Sequence, residues 1–409
     1  MQYCSKGYPE ILERVIHDHV ESAAQEMGAF QTSAFHFQSW NVIHDLHCRC
    51  DANLDGLRIA GEKAVNIARI ALAGDGNIAS VVTLLLSELK NDQPSVSEQA
   101  VTLLRHELPE VCQAALWGLR LSSPRHIESF LRSLVAKSKW DFAAAGAIDV
   151  LAFHRRPVQG DLGLSVDEEV DEVSWLLAEA GGRMEGVWNA RLLERFIGHD
   201  SSRVREAALR ASARSGLREL RAFCREATDR GGVVEAVDFL GVVGSIDDLA
   251  RLRRAVANPR LAKAAVGGLG RLGLASGVPV LLDCLSTPDL TEAAAAAIQR
   301  ITGLEVPRGA LPEPPPELTE DELDFWEPVA PVDVTATRKW WRANASRFDP
   351  EKRWQFGLCV SDVPLGPVFD QLPLCVRYDV YLRERALTLG TPDWELETWS
   401  WKQKNPASE

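Results

Sequence analysis

Four alanine-rich runs recur through the second half of the chain at almost constant spacing, and this period constrains the fold more than any other feature. They are REAALRASARSG (205–216), VEAVDFLGVVG (234–244), AKAAVGGLGRLG (262–273) and EAAAAAIQRITG (292–303). Each closes on a glycine, Gly216, Gly244, Gly273 and Gly303, so the successive spacings are 28, 29 and 30 residues. Alanine at helical spacing forms helix readily and presents a slim face that a neighbouring helix can approach closely. A terminal glycine takes the left-handed conformation that closes a helix.

Between these runs lie segments of a second character: LRELRAFCREA (217–227), IDDLARLRRAVAN (246–258) and VPVLLDCLSTP (278–288). Their leucines recur at the spacing of one helical face. A single pair of such helices cannot bury its apolar face, whereas stacked pairs can. VCQAALWGLRLSSP (111–124) and FAAAGAIDVLAFHRRP (142–157) read as degenerate copies, with IASVVTLLLSEL (78–89) as an amphipathic partner. These features predict an all-α fold, an α-solenoid of HEAT-like hairpins over 61–305 with a polar acidic interruption at 160–172. A non-repetitive helical bundle is the alternative, which the regular spacing of the last four units disfavours.

The flanks differ from the array. Residues 1–60 carry two predicted helices, the first amphipathic through Ile11, Val15 and Ala23. Residues 306–335 are proline-rich, with seven acidic residues from Glu313 to Glu327 and no Lys or Arg among them. Such a stretch cannot pack a core and reads as an extended linker. Residues 336–409 read as a small helical cap on the last repeat, and six of the chain's twelve tryptophans fall there: Trp340, Trp341, Trp354, Trp394, Trp399 and Trp401. Dense aromatics mark either a small core or a partner surface.

The 409 residues carry a net charge of -13, which opposes general binding to nucleic acid. Arginine is locally dense at Arg203, Arg205, Arg210, Arg214, Arg218 and Arg221, a set that reads as the solvated outer face of packed helices. Of the eight cysteines, Cys112, Cys224 and Cys284 sit in apolar helical runs, as buried free thiols do in a reducing compartment. The N-terminus has no signal-peptide pattern and no stretch is apolar enough to span a membrane, so the expected location is the cytoplasm.

Chemistry-bearing patterns are sparse. His44, His47, Cys48 and Cys50 are residue types that zinc prefers. On a helix His44 and His47 are expected to share a face, with Cys50 near it and Cys48 elsewhere, and no second ligand pair follows. His17 and His19 fall on different faces. Asp55 and Glu62 form no acid/base arrangement. GGLGRLG (267–273) superficially resembles a dinucleotide loop but has no preceding strand. No catalytic residue, no metal and no cofactor are therefore expected.

The units resemble the short HEAT-like repeats of phycobilisome lyases. The whole chain is similar to a narrower bacterial family of HEAT-like repeat proteins, through His19, NLDGLRIAGE (53–62), the closing ITG (301–303) and the Trp340–Trp341 pair after an acidic linker. Where that family has a histidine before Leu-Asp-Gly-Leu, this chain has Asn53. Members are often encoded beside type VI secretion components. The resemblance implies a non-enzymatic scaffold, an immunity protein, chaperone or adaptor whose partner is a secreted effector or toxin. The candidate partner-binding residues are Asp55, Arg58, Trp340, Trp341 and Arg377. The alternative it leaves open is a lyase-like or protein-modifying enzyme.

Overall fold

The computed structural model describes residues 8–33, 40–72, 75–88, 94–123, 127–137, 141–156, 158, 171–315, 326, 328–361, 368, 371–388, 395–396 and 398. Most of the acidic interruption, the middle of the proline-rich linker, and Trp394, Trp399 and Trp401 lie outside these residues. The helices are α1 (Tyr8–Ser33), α2 (Trp40–Ala60), α3 (Glu62–Leu72), α4 (Ile78–Glu88), α5 (Pro94–Thr102), α6 (Pro109–Leu121), α7 (Glu128–Lys137), α8 (Phe142–Phe153), α9 (Asp171–Arg183) and α10 (Ala190–Ile197). They continue with α11 (Ser202–Arg214), α12 (Leu220–Arg230), α13 (Val234–Val243), α14 (Leu249–Val256), α15 (Ala262–Leu272), α16 (Val278–Cys284), α17 (Thr291–Thr302), α18 (Val334–Asn344) and α19 (Leu374–Leu387). Strands β1 (Trp354–Gln355) and β2 (Leu358–Cys359) pair antiparallel. No helix among the described residues is long and apolar enough to cross a membrane.

The chain forms two compact units, Met1–Leu217 with Pro373–Glu409, and Arg218–Leu372. This division cuts through both the repeat array and the tail, because α19 returns to the first unit while the hairpin stays in the second.

In the first unit α1 and α2 lie antiparallel, His19 meeting Asn53 while Glu26 meets Arg49. Ile43, Leu46, Cys50, Leu54 and Leu57 form the buried stripe of α2. One layer of the stack runs α4, α6, α8, α9, α11, each packed on the next. α5, α7 and α10 lean against this layer from the other side. α8 is buried from Ala143 to Phe153, an apolar helix enclosed by neighbours rather than amphipathic. Its N-terminus is closed by Asp141, whose carboxylate accepts from the Ala144 N–H at 2.8 Å. Leucines such as Leu119 and Leu176 are fully buried, each stabilising by about 2 kcal/mol of apolar transfer.

The second unit repeats this plan more regularly. α13, α15 and α17 make the inner layer, and α12, α14 and α16 pair with them outside. Small residues at the crossings bring the backbones together. A Cβ on Gly270 would stand 2.9 Å from both Cα and Cβ of Ala297, and one on Gly241 would overlap the Gly268 backbone. GGLGRLG is thus the helix-packing end of α15 with its closing glycine. Gly216, Gly273 and Gly303 are left-handed, as expected of closing glycines. Gly244 is not: its φ is -69° and its ψ -177°, and the next turn opens with a capping box between Ser245 and Asp248.

The proline-rich segment is pinned at its ends. Gly309 donates to the Pro331 carbonyl and Asp333 to that of Pro307, both at 2.8 Å. The tail beyond it is more than the helical cap on the last repeat expected from sequence. α18 packs on α16, where Arg338 donates to the Leu282 carbonyl at 2.9 Å. The following hairpin then spans the C-terminal ends of three inner helices. Arg353 donates to the Gly244 carbonyl, Trp354 N–H to Gly273 at 2.8 Å, and Gly357 N–H to Ile301 at 3.1 Å. These are helix-end carbonyls that lack intrahelical donors. The hairpin satisfies them in place of water.

Candidate functional site

The five candidate residues occupy three environments. Asp55 and Arg58 lie one turn apart on α2 and bind each other at 2.6 Å. Arg58 also donates to Asp51 at 3.1 Å and to Glu88 of α4 at 2.8 Å. One guanidinium facing three carboxylates is a clamp between α2 and α4, and it leaves the patch acidic. Burial opposes the charge on Arg58, but the hydrogen bonds it donates to Glu88, Asp55 and Asp51 raise its pKa above the usual arginine value. Beside it His19, half-buried, shares its Nδ1 proton with Oδ1 of Asn53 at 2.7 Å, and Asn53 donates to Glu26 at 3.0 Å. Asn53 therefore completes a polar seam between α1 and α2.

Arg377 is 1% exposed, on the face of the helix that returns to cover the first unit. It has no surface to present to a partner, and its candidacy is corrected to a buried structural role. It belongs to a region where arginines penetrate the interior. Arg120 and Arg183 both donate to Asp149, at 2.7 and 2.9 Å, and Asp149 is fully buried. Arg183 and Arg214 donate to Glu395 at 3.0 and 2.9 Å. Arg210 holds Glu179, 31 residues away, through two bonds to one carboxylate oxygen. Burial alone would raise the Glu395 pKa, yet Arg214 and Arg183 pull it down to about 2. The expectation that the dense arginines form a solvated face is overturned for Arg214, which is 2% exposed. Its reason is Glu395, which comes back to it across 181 residues. Arg221 stays a third exposed and reaches the buried carboxylate of Asp248 at 3.4 Å.

The four His and Cys residues of α2 divide between its two sides. His44 and Cys48 meet at 3.7 Å on the exposed side. His47 and Cys50 are buried, each 1% exposed. His44 and His47 do not share a face as expected, because the buried stripe of α2 passes through His47. Burial, then the nearby His44, lowers the His47 pKa to about 4, and burial pushes the Cys50 thiol up to about 12. On α1, His17, Asp18 and Glu21 bring ligand-type atoms within 4.8 Å of one another, but all three are exposed and His17 already pairs with Glu21 at 3.6 Å. Cys112, Cys224 and Cys284 are buried, as the apolar context implied. A shallow depression in the second unit is lined by Thr228, Arg230, Arg251, Arg254 and Asn258. Its arginines pair with Glu226, Asp229 and Asp248.

Trp340 and Trp341 make the third environment. Both are half-buried on α18 and pack around Phe348, which is 6% exposed, at ring distances of 6.4 and 5.6 Å. Trp354 stands edge-on to the same ring at 5.0 Å, and its indole N–H donates to the Asp349 carbonyl. Three partly exposed indoles thus surround one buried phenyl ring. Phe348, at the centre of the cluster, is not among the sequence candidates, although the spacing Trp-Trp…Phe…Trp over 340–354 marks it. Fixed, half-exposed tryptophans supply large contact area at low entropic cost, which is the chemistry of interface hot spots. No protein-family model matches this chain, and no curated protein matches it.

Proposed function

We propose that this protein is a non-enzymatic, cytoplasmic protein-binding scaffold, serving as immunity protein, chaperone or adaptor for a type VI secretion effector. The observation that carries the reading is the tryptophan cluster: three indoles held half-exposed around Phe348, two on α18 and one on the hairpin anchored to the repeat ends. Burying such a face costs little ordering, because its members are already positioned. The secretion context rests on the family resemblance. The test is to express the chain with the product of the adjacent gene and measure their association by calorimetry. A complex with a Kd near or below about 1 μM supports the reading. If no neighbour-encoded protein binds at that concentration, the reading fails.

A further inference from the structure

The run His44, His47, Cys48, Cys50 splits into two pairs when α2 folds. His47 and Cys50 enter the buried stripe, while His44 and Cys48 stay in solvent one turn apart. Residues four apart on a helix are surface neighbours, and Nε2 of His44 stands 3.7 Å from Sγ of Cys48. That separation is close to the bite of a tetrahedral metal. Zinc bonds of about 2.0–2.1 Å to imidazole nitrogen and about 2.3 Å to thiolate sulfur span 3.7 Å at an N–Zn–S angle of about 116°, near the tetrahedral value of about 109°. The helix therefore holds both ligand atoms at the required separation with no change in its backbone.

The surroundings suit a cation. Arg49, the basic residue next to Cys48 in the chain, is paired with Glu26 at 3.3 Å. Asp51 follows His44 and Cys48 on the same helical stripe, seven residues after His44. It belongs to the Arg58 cluster, in which three carboxylates meet one guanidinium. The sequence argues against zinc because no second ligand pair follows, but that condition belongs to closed, four-ligand sites. Open sites leave positions to water. Among the described residues, three ligand-type atoms converge only at His17, Asp18 and Glu21, a set without sulfur. Cys48 adds the soft thiolate that selects zinc over magnesium and calcium.

We propose that Nε2 of His44 and Sγ of Cys48 form an open surface site for zinc(II), with two coordination positions left to water. Binding forms one Zn–N and one Zn–S bond, releases the thiol proton to solvent and displaces water from the hydrated ion. Nothing is oxidised or reduced. The site needs no partner, so it stands apart from the scaffold reading above.

The test titrates the full, untagged chain, with its thiols kept reduced, with cobalt(II) as a coloured stand-in for zinc. The expected result is a thiolate-to-cobalt charge-transfer band that saturates at one equivalent and is lost when zinc(II) is added. Two protein ligands in place of the four of a structural site should give zinc a Kd of about 1–100 μM in that competition. C48S should abolish the band, and H44A should weaken cobalt binding at least about tenfold. Both side chains are exposed, so circular dichroism should show unchanged helical content in both variants. Absence of the band in the native chain overturns the proposal, even if the metal binds, because the ion then sits on carboxylates or imidazole alone. An undiminished band in C48S overturns it by placing the metal on another cysteine. Native affinity in H44A overturns it by removing the histidine from the site.

Discussion

The guanidinium of Arg300 donates from Nε to Oε1 of Gln355 at 2.9 Å, with both side chains buried. Gln355 in turn donates to the Arg271 carbonyl at 3.0 Å, so one side chain ties two successive inner helices to the hairpin. Gln355→Ala removes these bonds from a buried site. It is expected to destabilise the second unit by about 2 kcal/mol, the scale of a buried bond to a charged group. Amide hydrogen exchange over 270–303 reads this directly. Unchanged protection there would show that the hairpin only rests on the repeats.

Gly273 and Gly186 separate strain from crowding. Both are left-handed, at φ 73° and 72°. A Cβ on Gly273 would meet the Trp354 carbonyl oxygen at 2.6 Å, whereas one on Gly186 meets nothing within 4 Å. Gly186→Ala should cost only the left-handed penalty of roughly 1–2 kcal/mol. Gly273→Ala should cost at least about 1 kcal/mol more, because the hairpin backbone must shift. Equal losses in thermal melts would contradict the close seating of the hairpin.

Glu395 makes part of the first unit's stability depend on pH. Its folded pKa of about 2 lies below the ordinary 4.5, so its contribution is complete above that ordinary value and is lost as pH falls toward 2. Glu395→Gln should mimic the loss at neutral pH and flatten the dependence of stability between about pH 4.5 and 2. Retention of the native slope in the variant would locate the acid sensitivity elsewhere.

The repeats were legible because alanine and glycine act locally: the 28–30-residue spacing needs no knowledge of distant residues. The inward arginines were not, because an arginine on a helix looks the same whether it meets water or Glu395. What decides it is a carboxylate 212 residues from Arg183. The faces of α2 lay between these extremes. Ile43, Leu46, Cys50, Leu54 and Leu57 set a stripe at helical spacing that includes His47 and excludes His44, and phasing the helix on those residues would have found it. The tryptophan pair was visible, but the hairpin that brings Trp354 to it depends on a two-residue turn with Phe356 and Gly357 both left-handed. Phe356 gives no sign of that conformation in the sequence.

Asp55 and Arg58 are expected to respond unequally. Asp55 is 66% exposed, and Asp55→Ala should change stability by less than about 0.5 kcal/mol. Arg58→Ala leaves Asp51, Asp55 and Glu88 facing one another without their shared cation and should cost about 1–2 kcal/mol. Urea titration of the two variants distinguishes them. Equal effects would remove the clamp between α2 and α4.

Association with the adjacent-gene protein tests the central claim most directly. Calorimetry on the native chain and on W340A/W341A should show a one-to-one complex at or below about 1 μM that the double substitution weakens by at least about tenfold. No heat of binding with the native chain would contradict the account.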